Sequence, residues 1–301
     1  MCYLFEDLLD WRKLMSSQAG PHEQILANFS NLSPKQRKLA RFFLDHEDVV
    51  ALASTSQIAE QTGASAATVV RFCQVLGYEG YPDLQAAVRS QLPQYQTAVQ
   101  KLAERIIDGN LTEHLPAQIA QANINNTQKT LSQISDSELT NIVAAIIRAR
   151  NVRIFGSGLS AAVAISAEYT LSVLGFAARA CTDGGVSQLL EISRLTDQDL
   201  VIVISVWRYL RNTVEAAEAA RAAGATCIAI TDSPVAPVAT LADHVLITDI
   251  EGAVHSRSLS GIMSLIDLFS AAIVVERPQE SLEALQRIDT FYLENDMLLS
   301  D

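Results

Sequence analysis

The chain has 301 residues, 49% of them hydrophobic, which is enough apolar material for two domains of unequal size. Its formal net charge of −12 at pH 7 argues against a protein that binds a polyanion with its whole surface. The sequence has no run of about 18 apolar residues for a membrane span, and the acidic start MCYLFEDLLDWRKLM is atypical of a signal peptide. We therefore predict a cytoplasmic protein with no membrane partner.

The four cysteines predict neither a disulfide framework nor a metal site. Cys2, Cys73, Cys181 and Cys227 lie far apart in the sequence, without CxxC spacing or neighbouring histidines. Isolated cysteines of this kind are typical of small buried apolar side chains. We expect no metal and no cofactor.

Residues 1–30 are predicted to be an N-terminal extension, in which Met1 and Met15 both remain candidate starts. Residues 31–92 are predicted to form a helical head. Within residues 33–92, six Lys or Arg residues balance six Asp or Glu residues, so the net negative charge lies elsewhere. A neutral head on an acidic body directs the head, rather than the body, toward a polyanion.

Three short helices are predicted in this head. The first covers SPKQRKLARFFLDH, with Ser33 as its N-cap. The second, in TSQIAEQTG, is predicted to begin at a Ser56 cap and to end at Gly63. The third begins at a Ser65 N-cap and stops at Gly77. Two short helices joined by a tight turn are typical of a helix-turn-helix, whose second helix enters the major groove of DNA.

The start of the third helix is the predicted DNA-binding surface, with Ser65, Ala66, Thr68 and Arg71 as candidate contacts. The arginine can hold a guanine edge or a phosphate with two hydrogen bonds. The alternative is a solvated helix surface, and Ser65 caps the helix in either case.

Residues 93–138 are predicted to be a helical linker. The stretch DSELTNIVAAIIRAR then predicts a helix with an Asp136 cap and an apolar stripe through Leu139, Ile142 and Ile146. This stripe is expected to pack on the domain that follows.

After residue 150, the apolar runs VRIFG, FAARA, DLVIVIS, TCIAIT and HVLIT alternate with helical stretches. Apolar strands separated by helices indicate a parallel sheet covered on both faces. The predicted fold class is therefore α/β with an all-α head: a helix-turn-helix bundle, then a doubly wound five-stranded parallel α/β domain in residues 139–280, then a C-terminal helix or tail in residues 281–301. Ligands are expected at the carboxyl ends of the strands.

The turn after the first strand, GSGLS, is a predicted anion site. Gly156 and Gly158 permit close approach of the backbone, while Ser157, Ser160 and the N–H groups of the new helix can donate to a phosphate or carboxylate. Two alternatives stay open. One is a loose dinucleotide fingerprint, with Asp183 near the ribose-binding distance, and the other is a purely structural turn.

Two sets of stretches resemble a known family. LSPKQRKLARFFL and TSQIAEQTGASAATVVRFCQVLGYEGYPDLQ resemble the helix-turn-helix head of the RpiR-type (MurR/RpiR) transcriptional regulators, and GSGLS, DLVIVIS, AGATCIAITDSP and LADHVL resemble their sugar isomerase (SIS) domain. The resemblance implies a bacterial regulator, a dimer or higher oligomer, whose SIS domain senses a phosphosugar or related metabolite and modulates binding to operator DNA.

The third strand departs from the family pattern Ser-x-Ser-Gly-x-Thr, whose hydroxyls and backbone hold the sugar phosphate in that family. Ser205 is retained, but Trp207, Arg208 and Leu210 replace the second serine, the glycine and the threonine. The resemblance therefore supports the predicted fold more directly than the identity of the ligand.

The replacement loop offers a different cradle for the effector. Arg208, Arg211 and Thr213 lie at a predicted helix N-terminus, where two guanidiniums can take a carboxylate or phosphate. The alternative is that these arginines only balance an acidic surface.

A later segment, EGAVHSRSLSG, places His255, Ser256 and Arg257 before the last long helix, where they can close the pocket. A lone histidine in such a segment is also typical of a solvent-facing or capping residue. Thr182 and Asp183 follow the second strand at the same sheet edge, where they can meet a ligand hydroxyl.

The predicted function is a DNA-binding transcriptional regulator, with repression the commoner mode in such proteins, and not an enzyme. The alternative is an SIS-fold sugar isomerase, which needs a positioned acid or base. Glu168, Glu191 and His255 are available for that role, but both glutamates lie in helical patterns typical of solvated or capping residues.

Overall fold

The structure, a computed structural model, describes residues 20–92, 95–96, 98–107, 114–295 and 297, without the side chains of residues 104, 105 and 107. Residues 1–19, with Cys2 and both candidate starts, therefore lie outside the described residues. The chain divides into two units, unit 1 (residues 1–113) and unit 2 (residues 114–301). Among the described residues, no helix is long and apolar enough to cross a membrane.

Unit 1 is built from short helices. They are α1 (Pro21–Asn28), a 3-10 turn (Phe29–Asn31), α2 (Pro34–Asp45), α3 (Glu47–Leu52), α4 (Thr55–Thr62), α5 (Ala66–Val75), α6 (Tyr81–Gln91) and α7 (Ala98–Ile107). Phe43 of α2, Ile58 of α4 and Phe72 of α5 are buried in one core. The Phe43 and Phe72 rings meet edge to face, with centroids 5.2 Å apart. Because each helix buries only one side, this core fixes α4 and α5 against α2.

Side-chain hydrogen bonds set the helix starts in unit 1. Ser33 is the N-cap of α2, as predicted, and its Oγ accepts from the backbone N–H of Gln36. The predicted Ser56 cap is wrong, because α4 begins after Ser54. The Ser54 Oγ accepts from the Gln57 N–H at 3.3 Å, while the Gln57 Oε1 accepts from the Ser54 N–H at 2.7 Å. This reciprocal capping box satisfies two backbone donors at once, which favours the earlier serine.

As predicted, unit 2 contains a doubly wound sheet of five parallel strands. The strand order in the sheet is β2-β1-β3-β4-β5. The strands are β1 (Asn151–Gly156), β2 (Ala178–Cys181), β3 (Asp199–Ile204), β4 (Thr226–Thr231) and β5 (His244–Ile247). The helices are α8 (Leu115–Ser132), α9 (Asp136–Arg148), α10 (Ser160–Val173), α11 (Gly185–Ile192), α12 (Arg211–Ala223), α13 (Ser260–Glu276) and α14 (Pro278–Glu294).

Helices cover both faces of the sheet. Ile202 and Ile204 of β3 face a core formed with α9, α10 and α13, whereas Val201 and Val203 face α12. Alternate side chains of one strand enter two different cores, which explains the uninterrupted apolar run. All five strands are parallel and end at the same edge, which we call the carboxyl edge.

The helix before the sheet has a different cap from the predicted one. Ser135 is the N-cap of α9, and its Oγ accepts from the Glu138 N–H at 3.2 Å. The predicted Asp136 cap is therefore wrong. Asp136 is the first helical residue, where its charge still faces the positive end of the helix dipole. The predicted stripe packs as expected, because Ile142 and Ile146 are fully buried against the sheet.

α8 lies in the stretch expected to be a linker, and its residues pack on α13 within unit 2. The three described cysteines are buried free thiols, as predicted. Burial raises the pKa of Cys73 to about 12, of Cys181 to about 11 and of Cys227 to about 12. These side chains are therefore protonated apolar residues at neutral pH.

Candidate functional site

The turn between α4 and α5 brings the two helices of the predicted DNA-binding motif together. Gly63 ends α4 in the left-handed conformation, with φ at 67°, and its N–H bonds the Glu60 carbonyl. The Ala64 N–H bonds the Ala59 carbonyl, which completes a Schellman-type end. Lys38 of α2 donates to the Thr62 carbonyl at 2.6 Å and ties this end to the rest of the head.

The predicted DNA contacts lie together on the first turns of α5. Ser65, Ala66 and Arg71 are exposed and Thr68 is half-buried. Ser65 is the N-cap, as predicted, because its Oγ accepts from the Thr68 N–H at 3.2 Å and pairs with the Thr68 hydroxyl at 2.8 Å. Two of the four candidates therefore already have a structural role, whereas Arg71 presents its guanidinium on an exposed face.

The glycine turn after β1 has the close packing expected from its sequence. A Cβ on Gly156 would lie 2.6 Å from the Ser160 carbonyl oxygen, so only glycine permits this approach of strand and helix. Gly158 has φ at 60°, the left-handed region that favours glycine. Ser160 is buried in the first turn of α10, and Ser157 is half-buried at the carboxyl edge.

Asn212, which sequence analysis did not single out, joins three of the turns at this edge. Its Nδ2 donates to the Ser157 Oγ at 2.5 Å, and its carbonyl accepts from the Gln188 Nε2 at 2.6 Å. The turns after β1, β2 and β3 thus meet through one amide side chain and its backbone. The available signal was the position of Asn212 at a predicted helix start, between two residues, Arg211 and Thr213, that the sequence analysis names as candidates.

The retained hydroxyls of β3 and α12 also meet, as a buried pair. The Ser205 Oγ lies 2.9 Å from the Thr213 Oγ1, which donates to the Leu210 carbonyl at 2.7 Å. Both residues are 3% exposed. At the end of the adjacent strand, the Thr231 hydroxyl is fully buried with no hydrogen-bond partner among the described residues.

Arg208 and Arg211 are both exposed, one in the loop after β3 and the other at the first position of α12. The structure thus brings Ser205 and Thr213 together but leaves the two guanidiniums at the protein surface. Their role as an anion cradle stays a prediction.

Asp232 is a second residue that sequence analysis missed, because TDSPVAP reads mainly as a proline-ordered loop. Its carboxylate accepts from the Trp207 backbone N–H at 3.2 and 3.3 Å. Burial raises the pKa of Asp232 above its ordinary value, although these hydrogen bonds and the charge of Arg257 oppose the shift. An acidic residue directly after a buried strand was the available signal.

Of the three residues predicted to close the pocket, Arg257 is half-buried. His255 and Ser256 are exposed. Burial lowers the pKa of Arg257, while the neighbouring charges of Glu251 and Asp232 oppose that shift. The structure therefore places one cation of this segment near the Asp232 carboxylate.

The residues after β2 border a small cavity of about 50 Å³, lined in part by Thr182, Asp183 and Gln188. Glu191 lines the same cavity but is not solvated, contrary to expectation. It is 9% exposed and pairs with the Nε atoms of Arg153 and Arg179 at 3.2 and 3.3 Å. Two guanidiniums pair with this carboxylate, which suits a structural role and not that of an acid in isomerisation.

Comparison with known proteins extends over both units. Residues 20–95 match the helix-turn-helix domain of the rpiR family, and residues 145–275 match the SIS domain. An HTH-type transcriptional regulator from Haemophilus influenzae is 27% identical over 86% of this chain and 92% of its own. The HTH-type transcriptional regulator HexR from Pseudomonas aeruginosa is 26% identical over 88% of this chain and 93% of its own.

Two solved structures resemble the chain. The sugar isomerase domain of an RpiR transcription factor from Sphaerobacter thermophilus is 38% identical, with a TM-score of 0.58, and the match covers 59% of this chain and 99% of that domain. The Vibrio vulnificus NanR protein shares the fold over 93% of this chain and 100% of its own, at 22% identity and a TM-score of 0.67.

The curated relatives carry the names of regulators, in agreement with the prediction that the chain is not an enzyme. With one match in each unit and a domain of this kind at 38% identity, the chain belongs to the RpiR family of helix-turn-helix transcriptional regulators with an SIS domain.

Proposed function

We propose that this regulator binds operator DNA through the start of α5, and that a phosphosugar or related anionic carbohydrate at the carboxyl edge modulates that binding. The observation that carries the proposal is the convergence of polar groups at this edge. Asn212 bonds both Ser157, which follows β1, and Gln188, which lies in the helix after β2. Asp232 accepts hydrogen bonds from the loop that replaces the family pattern. The NanR structure was determined as a complex with ManNAc-6P, which supports the same ligand class here.

The anion would be held by groups that converge from different elements. Ser157, Ser160 and the N–H groups at the start of α10 form one side of the site. Arg208, Arg211 and Thr213 lie on the loop and helix start opposite, and Arg257 with His255 and Ser256 forms the third side. A sugar hydroxyl would suit Asp232, because a carboxylate accepts hydrogen bonds from hydroxyls but repels a phosphate.

We further propose that the protein acts as a homo-oligomeric repressor on a palindromic operator. Two recognition helices related by twofold symmetry read two half-sites about one DNA turn apart. The ligand changes the population of DNA-competent states, and a coupling of about 1 to 3 kcal/mol is enough for a 5- to 150-fold response.

The proposed binding of a phosphosugar is tested by thermal shift and by DNA binding with one panel of compounds. Purified protein is heated with ManNAc-6P, other sugar phosphates, unphosphorylated sugars and small organic acids, because a ligand of the folded state raises the melting temperature. The stabilising compound is then added to complexes with duplexes that the wild-type protein selects from a random pool. Stabilisation by sugar phosphates with a changed DNA affinity is expected. Stabilisation by another class alone would contradict the proposed ligand.

The two exposed guanidiniums are tested by a double variant. Arg208→Ala with Arg211→Ala is expected to abolish the ligand response while DNA binding at low salt persists. The matched control is Arg148→Ala with Arg150→Ala, since these exposed arginines lie before β1 at the opposite edge of the sheet. A double variant that responds like the wild type would exclude the arginine cradle.

The proposed binding of DNA through α5 is tested by a substitution of Arg71. Arg71→Ala is expected to weaken binding to selected duplexes about tenfold to a hundredfold, with ligand affinity unchanged. Arg41→Ala is the control, because Arg41 is an exposed residue of α2 outside the two helices. Equal losses of DNA and ligand binding would indicate misfolding.

The neutral charge of the head also predicts a shallow salt dependence of DNA binding for each subunit.

A further inference from the structure

The helix α8 carries polar side chains where it packs on the rest of unit 2. Asn126 is 2% exposed and Thr130 is fully buried. Buried polar groups on a helix face require partners, because an unpaired one is costly. The α8 side chains that bond the region around residues 248–264 form a set that we call the polar seam: Asn123, Asn126, Thr127, Lys129 and Thr130.

The seam binds the loop of residues 249–259 at both ends. The Thr130 Oγ1 accepts from the backbone N–H of Asp249 at 3.0 Å, and the Asn126 Nδ2 donates to the Glu251 carbonyl at 2.8 Å. At the other end, the Ser258 Oγ donates to the Asn123 Oδ1 at 2.8 Å. The partners are 119 to 135 residues apart in the chain, so these bonds make one helix the support of the loop.

The contact between α8 and residues 248–261 is closely packed. The Thr130 Oγ1 lies 3.2 Å from the Thr248 Oγ1. A Cβ on Gly261 would lie 2.6 Å from the Thr130 Oγ1 and 2.8 Å from the Thr248 Oγ1. A Cβ on Gly252 would collide with the Ser256 carbonyl oxygen, so the loop itself is tightly turned. These contacts leave the loop backbone little room to move without disturbing its hydrogen bonds to α8.

The same loop carries Arg257 to the carboxyl edge. Its guanidinium interacts electrostatically with Asp232 and Tyr209, the groups that adjoin the loop after β3. An anion bound at the edge would compete with Asp232 for this guanidinium, so occupancy of the site and the position of the loop are linked through one side chain.

We propose that the polar seam transmits the ligand state of the carboxyl edge to α8. α8 is the first helix of unit 2 along the chain from unit 1, which carries α5. The seam thus gives the response of the proposed function a physical route, and in this respect the inference rests on that function. Asn126 and Thr130 act as positioning residues, since neither is a candidate ligand contact.

A first experiment requires no ligand. Backbone hydrogen exchange is measured on the full chain as wild type and as Arg257→Gln, which removes the charge that faces Asp232. Exchange is expected to accelerate at least threefold both in the 249–259 loop and in residues 123–132 of α8. A change confined to the loop, or no change, would overturn the proposal whatever the natural ligand is.

A second experiment separates transmission from binding. Thr130→Val removes the hydroxyl that bonds Asp249, Thr130→Ser retains it, and Asn126→Ala removes the bond to Glu251. Asn125→Ala is the matched control, because Asn125 is exposed on the same helix and accepts from Gln121 within it. Each variant is titrated with ManNAc-6P by calorimetry, and then with the selected duplexes in the presence and absence of that compound.

Thr130→Val and Asn126→Ala are expected to bind the compound within threefold of the wild type but to lose at least four-fifths of its effect on DNA affinity. Thr130→Ser and Asn125→Ala keep the full effect. An undiminished effect in Thr130→Val and Asn126→Ala would overturn transmission through the seam. If no sugar phosphate binds the wild-type protein or changes its DNA affinity, the proposed function is contradicted. The hydrogen-exchange experiment would still test transmission through the polar seam.

Discussion

In unit 1, the start of α5 is set by contacts that span a few residues, whereas at the carboxyl edge the contacts join distant parts of the chain. Ser65 caps α5 through Thr68, three residues away, and Gly63 ends the preceding helix. By contrast, Ser157 and Asn212 are 55 residues apart, and Trp207 and Asp232 are 25 residues apart. The beginning of the DNA-binding helix is therefore specified by local capping and turn rules, while the ligand edge depends on how the sheet brings its loops together.

The apolar core is the non-local part of unit 1 and is expected to give the largest effect. Phe72→Ala should destabilise unit 1 by about 3 to 5 kcal/mol, since it removes a buried ring packed on Phe43 and leaves a cavity. Urea unfolding followed by helix content measures the change. Val75→Ala is the control, because Val75 of the same helix is 48% exposed and should shift stability by less than about 0.5 kcal/mol. Similar costs at both positions would show that the core does not hold α5.

At the carboxyl edge, the buried hydroxyl pair should give the next largest effect. Thr213→Val leaves the Ser205 hydroxyl and the Leu210 carbonyl without this partner, at a cost of about 1 to 3 kcal/mol. Chemical denaturation of single and double variants at positions 205 and 213 gives the coupling energy. The control is Thr140→Val, whose hydroxyl bonds only within its own exposed helix turn. Additive effects at 205 and 213 would contradict the pair.

Asp232 should give the edge a distinctive pH dependence. Because burial raises its pKa in the folded state, the folded protein loses stability as pH rises from the ordinary value near 4 through the raised one. Asp232→Asn removes this loss and should therefore stabilise the protein at neutral pH relative to its effect below pH 4. Stability measured against pH for both proteins tests this, and parallel curves would contradict it.

Asp199 is the internal comparison for that experiment. Burial opposes its ionisation, but hydrogen bonds from Asn151 and Thr196 outweigh burial and lower its pKa. A lowered folded pKa contributes stability above the ordinary value that is lost as pH falls. Asp199→Asn should therefore weaken the fold most at neutral pH, the opposite sign to Asp232→Asn.

The smallest expected effect tests the local rule in unit 1. Ser54→Ala should destabilise unit 1 by about 1 kcal/mol, since it removes the cap that accepts from Gln57. Ser56→Ala, two positions later and exposed, should change stability by less than about 0.5 kcal/mol. Thermal unfolding of both variants measures the difference. An equal or larger cost at Ser56 would contradict the capping box.

The sequence by itself determined the five strands, the helix-turn-helix, the order of these elements along the chain and the family. Periodicity, caps and glycine turns act within one helical turn or along one strand, so the strands, Ser33, Ser65 and Gly63 could be read without a structure. Two capping predictions were wrong, Ser56 for Ser54 and Asp136 for Ser135, because neighbouring residues compete for one cap and the hydrogen-bond geometry decides between them.

Only the tertiary structure decided which side chains share the carboxyl edge. The sheet order β2-β1-β3-β4-β5 brings Asn212 to Ser157, and it places Asp232 beside the loop after β3. It also made Glu191 a buried ion-pair partner and gave α8 its polar seam. Such contacts depend on burial and on distances across the fold, which no local pattern of residues encodes.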